Sequence, residues 1–558
     1  MMKLGWLDPV GDWNPQLLRE LKGRLKPRNL IISAAISLLG QFVLYMSYVV
    51  QIPQLRADGS LPMSDKYCTG SSEYSYYHKC LADAAGNLLV DWQKWSLDLF
   101  LALSLIGIFG LLVAGTYLLI NDLAQEERRG TLNFIRLSPQ SAQSILLGKI
   151  LGVPILLYLI AISAVPFHLW SGLAAGIPLG QIFSFDGVLA LSCLFFYSLS
   201  LLFGLVSSAL GGFQAWLGSG TVLGFLWLAA IKPVIHNSLD WISVFSPVLI
   251  LQYLIAATGI ESTTSFRYLN IEQLDWFFLP VGLGIVGVSS ALILNYSLWT
   301  YWCWQALNRR FHNPSKTIFS KRQSYLIVAG VEVTIIGFAF SDNQFRLLED
   351  NFGILLLYNF VLFLALVVAL TPQKQALQDW ARYRKQRKRK TLLSSSLMRD
   401  LIWGEKSPVI VTIALNLAIA STMLVPWIFT QLDRRDWIPA LTNLAISASL
   451  ILVYAAIAQL VVFMRTQKQG LWIIGALAAL VILPPVILGL LAIEPSQAPL
   501  LWLFTAFPYA AIRDTSISST FLALLGQFSV LALCTLQISR QVKIAGESAS
   551  KALLAGAK

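Results

Sequence analysis

The sequence predicts an all-α fold, a polytopic transmembrane helical bundle of about twelve spans with both termini cytosolic. Three observations carry this. First, hydrophobic residues make up 56% of the 558-residue chain and charged residues only 13%, about half the charged share of an average soluble domain. Mean hydropathy is +0.65. Second, the apolar residues arrive in blocks of about twenty, the length a helix needs to cross a hydrocarbon core of about 30 Å. Lipid cannot satisfy free backbone groups, so such blocks are helical. Third, if the N-terminus is inside, 31 of the 41 Lys and Arg residues fall on the cytosolic side, the positive-inside asymmetry. That asymmetry also accounts for the net charge of +12 and the pI near 9.4 without nucleic acid as a partner; the partner these numbers call for is the lipid bilayer.

Taken in chain order, residues 1–28 are polar, and the apolar run that follows lacks a small-residue cleavage site, so it reads as a retained first span. Within the polar start, Asn14 suits a helix N-cap and Pro15 its first position. Leu17, Leu18, Leu21 and Leu25 recur at helical spacing, with Arg19, Lys22, Arg24 and Lys26 on the wetter side. Such an amphipathic helix lies in the membrane interface. The spans are expected near 29–50, 99–121, 150–171, 187–210, 214–234, 276–303, 325–340, 354–371, 409–430, 440–464, 471–493 and 516–538.

Five cysteines divide by location. Cys193, Cys303 and Cys534 lie in or beside spans and read as small buried apolar residues. Cys68 and Cys80 share the large outer loop 51–96, where a disulfide is plausible in an oxidising compartment. No Cys/His cluster has metal spacing. Between 122 and 149 stands a polar connector: Glu126-Glu127-Arg128-Arg129-Gly130-Thr131-Leu132, then Ser138-Pro139, then Leu147-Gly148-Lys149. Its reading is helix, break, helix. Asp122, Glu126 and Glu127 are expected at a helix N-terminus, where carboxylates are favoured. Leu132, Ile135 and Leu137 form a short apolar face. Ser138 and Pro139 suit a new N-cap and first turn leading into the third span.

This connector resembles the coupling segment of ABC-2 type transporter permeases, which reads E-E-R-x-x-G-T-L, S-P, L-x-G-K. The helix at 14–25 resembles the family's elbow helix, which opens on a similar N-P-x-L-x-x-E-L phrase. The resemblance covers 14–303, about half the chain. It implies that Glu126 to Leu132, Ser138, Pro139, Gly148 and Lys149 form the place where a separate ABC ATPase subunit docks. It also implies a plasma or inner membrane location, export rather than import, and ATP used by the partner. The layout expected is an elbow at 1–28, a six-span permease-like unit at 29–303, a connector and span pair at 304–371, a basic cytosolic loop at 372–407 and a four-span unit at 408–558.

The chain carries no G-x-x-x-x-G-K-[ST] phrase, the loop that cradles nucleotide phosphates. No cofactor is expected on this chain, no metal, and no enzymatic activity. The segment Val244–Leu251 is too short to cross and too apolar to float, so it reads as a re-entrant or interfacial helix. Leu501–Pro508 repeats that pattern before the last span, and Leu397-Met398-Arg399-Asp400-Leu401 echoes Leu17-Leu18-Arg19-Glu20-Leu21. These echoes suggest a reduced second permease half. A second permease, or a second copy of this chain, would be the partner if one chain forms half a pore. Inside the spans the clearest ionisable residue is Glu332, either an ion site or a local polar contact. His168 reads as interfacial. The run Arg382–Lys390 reads as an anchor against anionic lipid. Two other function classes stand beside the permease reading. A secondary transporter or channel would need coupling-ion residues in the spans. A membrane enzyme acting on lipid-linked substrates would need an acidic or histidine cluster on an outer loop.

Overall fold

The computed structural model describes residues 8–55, 60–74, 77–232, 234–235, 237–260, 271–340, 345–386, 395–464, 469–511 and 515–546. Part of the basic run Arg382–Lys390, residues 387–390, lies outside the described residues. The chain divides into two compact units, one of Met1–His236 with Asp240–His312, the other of Asn237–Leu239 with Asn313–Lys558.

The first unit begins with α1 (Asp8–Trp13) and α2 (Pro15–Arg24). Asn14 caps α2 as expected, its Oδ1 accepting from the Leu17 amide at 3.0 Å, with Pro15 in the first turn. Spanning helix α3 (Pro27–Val49) leads to the outer loop. There three short strands, β1 (Ser64–Asp65), β2 (Ser72–Tyr74) and β3 (Tyr77–Lys79), pair antiparallel in the order β1-β3-β2. A disulfide joins Cys68 to Cys80, and Tyr67 buries its ring while its hydroxyl donates to Asp98 Oδ2 at 3.1 Å.

The second span is longer than its apolar block. It runs through α4 (Trp92–Phe109), a π-helical turn at Gly110–Ala114, and α5 (Gly115–Arg128) without interruption. The wide turn frees a carbonyl, and the Tyr197 hydroxyl donates to Leu111 O at 2.8 Å. Gly115 leaves the room for that tyrosine. After α6 (Thr131–Arg136) and α7 (Ala142–Gly152), Pro154 separates α7 from the third span, α8 (Ile155–Ala174). The fourth and fifth are α9 (Leu179–Val206) and α10 (Gln214–Ile231).

The segment expected to be re-entrant, Val244–Leu251, follows the short α11 (Asp240–Ser243), turns at residues 244–247 and enters α12 (Val248–Thr258). Its irregular backbone is satisfied by α13 (Ile285–His312): Asn295 Nδ2 donates to Val244 O and the Tyr296 hydroxyl to Phe245 O. Non-helical backbone persists in apolar surroundings only with such partners.

The second unit contains α14 (Lys321–Ala339), α15 (Phe345–Leu370), α16 (Lys374–Gln386), α17 (Ser395–Trp403), α18 (Ile410–Gln431), α19 (Trp437–Val462), α20 (Gln469–Leu490), α21 (Pro499–Trp502) and α22 (Ile517–Ala545). Its core draws on Val328, Phe360, Phe363, Ile413, Ala420, Leu450 and Tyr454 from α14, α15, α18 and α19. The Lys321 ammonium ties the start of α14 to the α17–α18 turn by donating to Leu401 O and Ser407 Oγ, each at 2.7 Å.

Among the described residues, ten helices are long and apolar enough to cross a membrane. Two further expected spans correspond to α13 and α14, of 28 and 19 residues. Tyr, Trp and Asn residues lower the hydropathy of α13, and Lys321, Arg322 and Glu332 that of α14.

Candidate functional site

The expected connector begins inside a helix. Asp122, Glu126 and Glu127 sit in the last two turns of α5, not at a helix start. This corrects the reading, and it raises a physical problem, since carboxylates at a helix C-terminus face the negative end of its dipole. Basic groups on other elements answer it. Lys149 of α7, with a side chain fully removed from solvent, places Nζ 2.6 Å from Asp122 Oδ2 and 2.8 Å from Glu126 Oε2. The first contact is a hydrogen bond; the second is an ion pair whose angle falls outside hydrogen-bonding geometry. Glu20 Oε1 of α2 stands 3.9 Å away. Arg24 bridges Glu20 Oε2 at 3.3 Å and Asp122 Oδ1 at 2.8 Å, and Arg19 reaches Glu126 Oε1 at 3.1 Å. Three carboxylates and three cations thus join three helices.

Gly148 and Gly152 make the approach possible. A methyl group on Gly148 would lie 2.8 Å from the Leu17 amide nitrogen, and one on Gly152 2.5 Å from Glu20 Cβ. The Asn14 side chain, having capped α2, donates to Ser144 O of α7 at 2.7 Å. Leu17, Leu21 and Leu25 then pack on Ile155, Leu156 and Leu159 of α8. The Gly148-Lys149 pair therefore works inward: the glycine admits α2, and the lysine neutralises what α2 and α5 bury.

Burial by itself pulls the Lys149 ammonium down, but Asp122, Glu126 and Glu20 outweigh it and hold its pKa above the ordinary lysine value. Burial, followed by the Asp122 charge, lifts the Glu20 carboxyl above its ordinary range against Lys149 and Arg24. The folded chain thus binds the Glu20 proton more tightly than the unfolded one. Stability from this group grows as pH falls from the raised value toward the ordinary carboxylate value, and the gain is lost as pH rises again. We expect the α2 segment to resist proteolysis better at mildly acidic than at neutral pH, and Glu20→Gln to remove the difference. Looser docking on mild acidification would contradict this assignment.

The other connector residues face outward. Glu127, Arg128, Arg129, Gly130 and Thr131 are exposed. Gly130 ends α5 in the left-handed region, at φ 73°, a conformation that glycine adopts without penalty. Leu132 and Ile135 of α6 are buried, but Phe134 is 79% and Leu137 85% exposed. Leu137 is thus outside the apolar face expected of it. Ser138 and Pro139 lie in the turn before α7, whose N-cap is Ser141, its Oγ accepting from the Ser144 amide at 3.2 Å. The sequence reading missed the exposed Phe134 and the inward roles of Glu20 and Arg24. The i,i+4 spacings Glu20–Arg24 and Asp122–Glu126 were the available signals.

Glu20, Asp122 and Glu126 offer oxygens close enough together to hold a metal ion. Lys149 already places its ammonium against all three, so the cation they call for is supplied by the chain. His168, expected near the outer end of the third span, is buried and stacked on Phe100 with centroids 4.5 Å apart. Its Nε2 lies 2.9 Å from Ser104 Oγ and its Nδ1 3.8 Å from Asp186 Oδ1. The order resembles a hydrolytic triad, but Ser104 Oγ donates to Phe100 O at 2.7 Å. A hydroxyl that gives its proton to a helix carbonyl is not held toward a general base.

Ten apolar helices of spanning length define a multi-pass α-helical membrane protein. No family model, no curated protein and no solved structure matches this chain.

Proposed function

We propose that the chain is the membrane-spanning permease subunit of an ATP-driven exporter, moved by a separate ATPase that docks on the α5–α7 connector. The observation that carries this reading is the division of the connector into two faces. One face, Glu126, Gly148 and Lys149, is locked to α2 and α5. The other presents exposed Phe134 and Leu137 beside exposed Glu127, Arg128 and Arg129. An apolar pair ringed by charges suits a protein partner. A rigidly held connector passes a push from that partner into the spans on either side, α5 and α8. The substrate is bound and guided by the spans, while the phosphate chemistry belongs to the partner.

The decisive test uses the full chain in its own cells. A cysteine at Gln140 should resist an impermeant thiol reagent added outside intact cells. Capture of the chain should bring down a P-loop ATPase in stoichiometric amount, and the double substitution Glu127→Ala, Arg129→Ala should release it. Labelling of Gln140→Cys from outside would put the connector on the wrong face for ATP and end the proposal. So would transport by the purified chain driven by an ion gradient alone.

A further inference from the structure

The second unit holds polar groups that no described neighbour satisfies. Glu332 of α14 is fully buried. Its Oε2 accepts a long 3.4 Å hydrogen bond from Asn359 Nδ2 of α15, and its Oε1 has no partner. Asn359 Oδ1, Asn416 Oδ1, Gln459 Nε2 and Asn351 Nδ2 are likewise buried and unpartnered, and Asn443 has neither its oxygen nor its nitrogen engaged. Each is at least nine-tenths buried. In an apolar bundle an unpaired polar atom is costly, and six such amide and carboxyl side chains on the four packed helices α14, α15, α18 and α19 call for a ligand.

Contacts between the helices align them. Val409 N donates to Gln459 Oε1 at 3.2 Å, which fixes α19 against the start of α18. Asn416 Nδ2 donates to Ser324 Oγ at 3.0 Å, fixing α14 against α18. Phe352 stacks on Trp427 with centroids 6.3 Å apart, fixing α15 against α18. Projected on α18, the polar groups follow one another from the level of Val409 to that of Ile428. That is about 28 Å at about 1.5 Å per residue, close to the hydrocarbon thickness. They also share faces with the core of this unit: Glu332 lies one turn from Val328, Asn359 one turn from Phe363, Asn416 one turn from Ala420, and Asn443 seven residues from Leu450.

We propose that the second unit encloses a hydrated polar file in which Glu332 is an exchangeable proton site. Water is the ligand the geometry favours over a bound metal ion. The amides are spread along the file at steps of about 5–10 Å, too far apart to share one ion but suited to a chain of waters, each with two or more polar partners. Glu332 provides the one carboxylate. No acid or base from α18 faces it, and α19 contributes only Tyr454; α14 adds Lys321, Arg322 and Tyr325, and described α15 side chains only Tyr358. The proton moves as such: it leaves a water, protonates one Glu332 oxygen, and returns to a water, with no change in oxidation state. This proposal concerns the second unit and does not rest on the ATPase reading, whose test reads the connector in the first.

Two measurements test it on the full-length chain in lipid nanodiscs, with Cys193, Cys303 and Cys534 replaced by serine. Asn443→Cys and Asn359→Cys should each react with a small hydrophilic thiol reagent, whereas Val367→Cys, equally buried but apolar, should react only after unfolding. In infrared difference spectra the carbonyl stretch of a protonated carboxylic acid should appear and vanish reversibly with pH in the otherwise wild-type chain, and be lost in Glu332→Gln. If both asparagine positions are as unreactive as Val367→Cys, the file is dry and the proposal fails. If they react but no band depends on Glu332, its proton does not exchange and the proton site is overturned.

Discussion

Lys149→Met will release α2 from the connector and lower the melting temperature of the chain more than any substitution on the exposed face. The ammonium is fully removed from solvent and stands against Asp122, Glu126 and Glu20. Removing it leaves three carboxylates with only Arg24 and Arg19 for neutralisation. Breaking a buried ion cluster from one side costs about 3–5 kcal/mol, a large part of a typical net stability. Limited trypsin digestion should then cut after Arg24, which in the wild-type chain is half-buried and paired with Glu20 and Asp122. Gly148→Leu should have the same outcome by a steric route, because the new side chain meets the Leu17 backbone. An unchanged melting curve and cleavage pattern in Lys149→Met would show that the leucines alone hold α2.

Phe134→Asp combined with Leu137→Asp will abolish ATPase capture while leaving the fold intact. Both side chains are largely exposed, so a charge there removes little packing and the melting temperature should stay within about a degree of wild type, as for substitutions worth under about 0.5 kcal/mol. Apolar anchors at the centre of an interface are commonly worth about 2 kcal/mol or more each. Losing two would weaken binding by roughly a thousandfold. If the double variant retains its ATPase, the docking surface lies elsewhere. The contrast between the two experiments separates the faces of one short connector. The Lys149 variant is expected to read out in stability, and the Phe134, Leu137 double variant in partner binding.

Much was legible from residues alone. Blocks of about twenty apolar residues made the membrane class unavoidable, since no other structure satisfies a backbone in lipid. Asn14-Pro15 announced the start of α2 because a cap and a fixed φ are local chemistry. The end of α5 at Gly130 was missed, because the carboxylates before it were read as a helix start and the break was placed at Ser138-Pro139. A short apolar helix near 244–251 was readable from its length, while the turn at 244–247 before it was not.

What the tertiary structure decided concerns partners distant in sequence. Glu126 and Glu127 are adjacent in the chain, yet one is buried against Lys149 and the other exposed. A helix turns neighbouring residues about 100° apart, and only the position of α2 and α7 says which direction is inward. Glu20 and Asp122 meet across about a hundred residues. The contact between His168 and Ser104 also joins residues far apart in the chain, and nothing near either one announces it. The polar file likewise needs four helices in register: Glu332, Asn359, Asn416 and Asn443 are scattered over more than a hundred residues, each reading as an isolated polar residue in an apolar span. Hydropathy and capping are properties of a segment, whereas the sign of a neighbouring charge and the emptiness of a hydrogen bond are properties of a packed assembly.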